Sequence, residues 1–208
     1  MEDFISMSKE GVDNSKRRFL SIAVNSVVGA VGVGFAAVPF ISYWQPSAKA
    51  KAAGAPVEID ISKLEEGQKV NVEWRGKPVW VVKRSQQNLD DLSTLDDVVA
   101  DPASDVPQQP DYAKNIFRAR EDHKNILVVI GICTHLGCSP TYVKADQPHS
   151  LGDGWKGGFF CPCHGSSFDL SGRVYKGVPA PTNLVVPPYA YIDDTRIIVG
   201  VDSLEGVA

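Results

Sequence analysis

Two short segments limit what this chain can fold into: Cys133-Thr134-His135-Leu136-Gly137-Cys138 and Cys161-Pro162-Cys163-His164-Gly165-Ser166. All four cysteines lie in them, so the fold must bring two loops, well separated in sequence, to one point. Two thiolates with two imidazoles form a mixed soft and borderline ligand set. It suits a tetrahedral zinc ion, or an iron–sulfur cluster with one iron on sulfur and one on nitrogen. A four-cysteine zinc site would use every thiol and need no histidine. In the mixed set each loop has one cysteine left over, and two such cysteines can pair as a disulfide that ties the loops together. Two alternatives fit the spacing less well. Structural zinc loops place their ligands as C-x₂₋₄-C pairs, and a purely structural pair of disulfides needs no C-x-H spacing. The other histidines have no cysteine nearby. His123 sits in the charged run Arg118–Asp122 and His149 in a stretch rich in Asp, Pro and Gly, so both are expected to be solvated side chains.

From Phe19 to Ser47 there is no charged residue, and positions 19–44 are apolar with Asn25 as the main exception. At 1.5 Å per residue that stretch spans a bilayer core with length to spare. Tyr43 and Trp44 at its far end read as interfacial anchors. Lys16, Arg17 and Arg18 precede the stretch while only Lys49 and Lys51 follow closely, which predicts a cytoplasmic N-terminus. Small residues at Gly29, Gly32, Gly34 and the pair Ala30/Gly34 would let another transmembrane helix approach. Ser15-Lys16-Arg17-Arg18-Phe19-Leu20 resembles a twin-arginine export motif in which lysine replaces the first arginine or the Arg17-Arg18 pair is shifted by one, a route that carries folded proteins. Ala48-Lys49-Ala50 has the small-residue pattern of a cleavage site. The apolar stretch is longer than a signal-peptide core, however, so an uncleaved anchor is expected.

Residues 45–56 hold no large apolar side chain and read as a linker. Beyond them the chain reads as β. Val57–Ile61, Val70–Trp74 and Val79–Lys83 are short runs of β-branched and aromatic residues, with turns at Glu66-Gly67 and Arg75-Gly76-Lys77. Leu89–Ala100 is expected to be a short helix and Asp101–Pro110 a proline-bearing loop. Ile126–Ile132 is a continuous apolar strand leading into the first cysteine segment, and Phe159-Phe160 leads into the second. Arg173–Tyr175, Tyr189–Ile192 and Arg196–Val201 complete the expected strands. From residue 52 onward there are 15 basic and 21 acidic side chains. The resulting net charge of −6 argues against nucleic acid and permits docking on a basic partner. Four cysteines, two of them available for a disulfide, point to an oxidising compartment.

C-T-H-L-G-C and C-P-C-H-G-S resemble the two cluster-binding boxes of the Rieske [2Fe-2S] proteins, in particular the disulfide-containing subunits of quinol-oxidising cytochrome bc complexes. Gly177-Val178-Pro179-Ala180-Pro181 is similar to that family's proline loop, and Trp74–Val79 to the start of its base domain. The resemblance implies an all-β fold: an antiparallel base domain with an inserted cluster-binding subdomain at about 126–186, preceded by one N-terminal transmembrane helix. The implied division is a cytoplasmic segment 1–18, an anchor 19–44, a flexible hinge 45–56 and a Rieske domain 57–208. One [2Fe-2S] cluster is implied, with Cys133 and Cys161 on one iron, His135 and His164 on the other, and Cys138 paired with Cys163. Ser166 would donate to a cluster sulfur, and Leu136 would shield the cluster and pack against the quinol site. His164 would be the group that contacts quinol. Phe168 departs from the pattern, since many members have a tyrosine there that reaches a ligand sulfur. The implied function is the iron–sulfur subunit of quinol:cytochrome c oxidoreductase. It takes an electron from ubiquinol, passes it to a c-type haem, and contributes to proton translocation in the respiratory chain. The implied partners are a cytochrome b subunit and a c-type cytochrome subunit, within a dimeric complex of the inner membrane, with the Rieske domain in the periplasm. Two other readings are the small subunit of a molybdenum oxidase and a membrane-anchored structural zinc domain.

Overall fold

The computed structural model describes residues 13–204, which fall into two units that divide between Lys51 and Ala52. Residues 1–12 of the expected N-terminal segment lie outside the described residues.

The first unit is dominated by helix α1, Asn14–Tyr43. Asp13 starts it. Its carboxylate accepts the N–H groups of Ser15 and Lys16 at 3.0 and 3.3 Å, satisfying donors that have no partner in the first turn. Thirty residues at 1.5 Å each make a rod of about 45 Å, and its most apolar window has a mean hydropathy of 1.9. Among the described residues it is the one helix long and apolar enough to cross a membrane. Lys16, Arg17 and Arg18 lie within its first turns, ahead of the apolar stretch. Composition alone reads 45–56 as linker, yet Ala48–Ala53 form a short helix α2. Alanine and lysine are strong helix formers, and the Ser47 hydroxyl accepts the Ala50 N–H at 3.1 Å.

The second unit is built from three antiparallel three-stranded sheets. One joins β1 (Val57–Asp60), β9 (Arg196–Val199) and β8 (Tyr189–Asp193) in that order. Another joins β2 (Lys69–Trp74), β3 (Lys77–Lys83) and β4 (Ile126–Ile130). The third joins β5 (Thr141–Val143), β6 (Gly158–Cys161) and β7 (Ser166–Asp169), and it carries the second cysteine segment. β4 is buried along its whole length and the middle of β3 nearly so, which accounts for their unbroken apolar runs. The turn between β2 and β3 needs two left-handed residues: Arg75 at φ 53° and Gly76 at φ 70°. The cost at Arg75 is offset in part by its guanidinium, which lies 4.6 Å from the centre of the Trp74 ring. Just past β4, Gly131 faces the Trp80 indole so closely that no Cβ would fit between them. This contact sets the path of the chain into the first cysteine loop.

Several local expectations change. The helix near residue 90 is α3, Gln86–Ser93, rather than Leu89–Ala100. A reciprocal cap between Ser85 and Asn88 fixes its start, and Val99 is drawn into a bridge with Tyr175 that no helix could make. Arg173–Tyr175 is not a strand but a segment held by two isolated bridges, Phe168 with Val174 and Val99 with Tyr175. β5 and β7 were not expected. The Ser-Ser-Phe-Asp run of β7 has little intrinsic strand preference and is extended because it pairs with β6, Phe159 opposite Phe168 and Cys161 opposite Ser166. Neither spare histidine is simply solvated. His123 stacks on Tyr191 at 3.8 Å between ring centres with Asp122 3.1 Å from its Nδ1, and the His149 Nδ1 accepts the Leu151 N–H at 3.3 Å.

Three arginines are fully buried, and all three grip the turn that leaves β7. Arg84 donates to the carbonyls of Phe117 (2.9 Å), Leu170 (3.1 Å) and Lys124, and to the Ser171 hydroxyl (2.9 Å). Arg118 donates to Ser171 and Gly172 carbonyls and to the Gln109 amide oxygen. Burial pulls both guanidinium groups down to about 10, so each remains charged near neutrality. Arg173 has acidic partners, Asp169 at 2.7 Å and the half-exposed Asp96 at 2.7 Å. Asp169 also accepts the N–H groups of Ser171 and Arg173, at 2.8 and 2.9 Å. Removing that carboxylate leaves two buried N–H groups without partners and takes from the buried Arg173 its fully buried counter-ion, with only the half-exposed Asp96 and the carbonyls of Leu92 and Pro102 remaining. Asp169→Ala is therefore expected to destabilise the domain by roughly 3–5 kcal/mol. Denaturant unfolding of the purified chain checks this, and a loss below about 1 kcal/mol would show that the pair is dispensable.

Candidate metal centre

The two cysteine loops share one backbone device. In the first, the Gly137 N–H donates to the Cys133 carbonyl at 3.0 Å; in the second, the Gly165 N–H donates to the Cys161 carbonyl at 3.0 Å. Both glycines are left-handed, at φ 83° and φ 80°, a conformation that a side chain disfavours. Each loop is thus a single tight turn with its cysteine at the base. β6 ends on Cys161 and β7 begins at Ser166, so the second loop is the connection of a hairpin. The first follows β4 and is closed by the Cys133 N–H donating to the Cys138 carbonyl at 2.8 Å.

The loops meet. Cys138 and Cys163 are joined by a disulfide with their Cα atoms 6.8 Å apart, and Cys133 and Cys161 remain free and buried at 2% exposure each. The rings of His135 and His164 lie perpendicular with 4.8 Å between centres. His135 Nδ1 is buried and has no hydrogen-bond partner, while His164 is exposed. Burial pushes the Cys161 thiol up, and the Cys133 thiol beside it acts in the same direction; N–H groups of Cys163 and His164 directed at its sulfur oppose them. The sulfurs of Cys138, Cys161 and Cys163 lie within 4.8 Å of one another. That trio is not a ligand set, because two of its members are already bonded to each other. The donors left over are two buried thiols and two imidazoles, one with an orphaned ring nitrogen. Such a set fits a metal group taking sulfur on one side and nitrogen on the other.

A third segment closes the site. The Ser166 hydroxyl is buried and accepts the Ala180 N–H at 3.0 Å, tying the Gly177–Pro181 loop to the second box while keeping its own proton available to donate. The Thr134 hydroxyl donates to the Thr182 carbonyl at 2.7 Å, a tie to the first box that the sequence reading missed. Threonine inside a ligand loop was the available signal. Leu136 stands 71% exposed at the tip. Phe168 is fully buried in the cluster of side chains that includes Cys133 and Cys161.

Residues 96–190 match the family described as the Rieske [2Fe-2S] domain, and residues 6–47 match one described as the ubiquitinol-cytochrome C reductase Fe-S subunit TAT signal. The "Ubiquinol-cytochrome c reductase iron-sulfur subunit" of Allochromatium vinosum is 60% identical over 196 residues, covering 94% of this chain and 93% of that protein. The protein of the same name from Rhodospirillum rubrum is 46% identical over 196 residues, covering 93% and 96%. Among solved structures, a chain of "Hyperthermophilic respiratory Complex III" is 27% identical and covers 86% of this chain and 97% of its own, with a TM-score of 0.46. With its two boxes brought together over two free thiols and two imidazoles, this chain carries a Rieske [2Fe-2S] domain and belongs to the family of ubiquinol-cytochrome c reductase iron–sulfur subunits.

Proposed function

We propose that this chain takes an electron from ubiquinol and delivers it to a c-type haem, with Cys133 and Cys161 holding one iron of its cluster and His135 and His164 the other. The observation that carries this reading is the partition of the cysteines: one pair is spent in the disulfide, and the other lies buried and free beside two imidazoles. Bound there, a [2Fe-2S] cluster supplies a one-electron carrier whose potential is raised because neutral imidazoles replace anionic thiolates, a trend for which Rieske centres are themselves the standard example. The protein's residues supply the rest. His164 is exposed, which supports a role for the ring nitrogen not used for iron in taking a proton from a quinol hydroxyl. Leu136, 71% exposed in the first box, offers an apolar surface to a hydrophobic partner. Ser166 accepts from Ala180 and so keeps its proton free, which supports a role in donating toward a cluster sulfur that would favour the more negative, reduced form.

The anchor and its flanking charges support a single-pass membrane subunit with its N-terminus in the cytoplasm and the Rieske domain in the periplasm. There it would work beside a cytochrome b subunit and a c-type cytochrome in a dimeric complex. The stretch 45–56 is proposed as the hinge that lets the domain reach both partners. The six-residue helix α2 inside it is too short to persist without support, which leaves such movement open. Purification from detergent-solubilised membranes tests the assignment: b- and c-type haems should travel with the chain, and their absence would count against it.

Each of Cys133, His135, Cys161 and His164 is expected to be indispensable for the cluster. Single changes to Ala should abolish bound iron and visible absorption, and a variant that keeps both would leave the ligand list.

Phe168 gives a finer prediction. A tyrosine hydroxyl reaching a ligand sulfur would stabilise the reduced state by about 0.5–1.5 kcal/mol more than the oxidised one, raising the one-electron potential by roughly 20–60 mV. Phe168→Tyr should therefore raise the potential, and Phe168→Leu should not. Because residue 168 is fully buried, a hydroxyl that missed the sulfur would be stranded, lowering stability by about 1–3 kcal/mol with no gain in potential. Redox titration of both variants at fixed pH separates the two outcomes.

A further inference from the structure

Cys161 has a chemistry of its own when no iron is bound. Its sulfur lies within 4.8 Å of both sulfurs of the Cys138–Cys163 disulfide, and Cys133 is not part of that close group. Cys161 is buried, Cys138 half-buried and Cys163 exposed. A free thiol held against a disulfide is the arrangement from which thiol–disulfide exchange proceeds.

We propose that, in the chain without its cluster, Cys161 displaces Cys163 from Cys138, moving the disulfide to Cys138–Cys161 and leaving Cys163 as an exposed free thiol. In the step, the Cys161 thiol gives its proton to water and the resulting thiolate attacks Cys138 Sγ. The new bond forms as the Cys138–Cys163 bond breaks, the electron pair leaves on Cys163 Sγ, and that sulfur takes a proton from water. One disulfide and two thiols are present before and after, so no outside oxidant or reductant is needed. Two features set the direction. Attack on Cys163 instead would close a ring across Cys161-Pro162-Cys163, where only a proline with fixed φ separates the sulfurs' residues. Expelling Cys163 also places the departing negative charge on the most exposed of the three cysteines, where water stabilises it.

The consequence for iron rests on the ligand assignment proposed above, whereas the exchange itself rests only on where the sulfurs lie. Once Cys161 is bonded to Cys138 it cannot bind iron. Loss of the cluster in an oxidising compartment would thus be irreversible until a reductant resets the bond. Loading would have to precede closure of the disulfide, an order compatible with the export-type signal matched over residues 6–47. The bound cluster would in effect act as the protecting group for the native disulfide.

The test uses the full chain purified in detergent. Iron is removed with a chelator under argon, with no added thiol, and samples taken over several hours are quenched with N-ethylmaleimide and mapped by mass spectrometry. The loaded protein should take up no label. Immediately after stripping, Cys133 and Cys161 should be labelled; later the label should move from Cys161 to Cys163, while in the Cys161→Ser variant taken through the same treatment Cys163 should stay unlabelled. Adding iron and sulfide to the aged wild-type chain should restore visible absorption only after treatment with a dithiol reductant. Cys163 remaining unlabelled in the wild type, or labelled equally in Cys161→Ser, would overturn the proposal. Purified chain that never holds iron would instead overturn the ligand assignment, and the labelling pattern would still decide the exchange.

Discussion

Everything at the site depends on holding two loops together that come from different sheets. The disulfide links residues 25 apart in sequence, and in the chain-entropy model closing such a loop removes about 3–4 kcal/mol of unfolded-state freedom. Hydrogen bonds alone would serve poorly, because each contributes about 1 kcal/mol net and competes with water at an exposed tip. The covalent link lets the His164 ring stay exposed to solvent while both free thiols stay buried. The same closeness brings Cys161 within range of the disulfide, so the stabilising bond and the reactive thiol are one design seen with and without iron.

The turn after β7 is the second fixed point. It carries the chain from the second box toward the Gly177–Pro181 loop, and it is gripped by Arg84 from the end of β3, by Arg118 from a long loop, and by Arg173 from within. Two of these cations find only carbonyl, hydroxyl and amide oxygens as partners, a costly arrangement to bury. Backbone carbonyls in an irregular turn have no ladder partner, and long forked donors are the side chains best able to satisfy several at once. The cations therefore order a segment that has no regular structure to order it, and Asn183 and Ser166 extend the bracing to Val174 and Ala180.

How far the sequence could be read varied by element and for identifiable reasons. The apolar run of β4 and the turn at Arg75-Gly76 were legible, because burial on both faces and a tight hairpin each impose a local pattern. β7 was not, since Ser-Ser-Phe-Asp becomes extended only through its partner, and the helix near residue 90 ended early because Val99 was claimed by Tyr175. His123 read as a surface residue in a charged run; its stacking on Tyr191 joins positions too far apart for any local pattern to reveal.

By itself the sequence determined the chemistry: which residue types can bind, in which two loops, next to an apolar stretch long enough for a membrane. Ligand type and spacing are properties of the covalent chain, and a resemblance carried by two dense motifs needs no coordinates. Tertiary structure bore out the Cys138–Cys163 pairing that the resemblance implied, and it alone decided that Ser166 and Thr134 hold down the third segment, that Phe168 is sealed in the core, and that the Cys161 sulfur lies within 4.8 Å of both disulfide sulfurs. Those facts depend on distances between residues remote in sequence, and such distances exist only once the sheets have paired and packed.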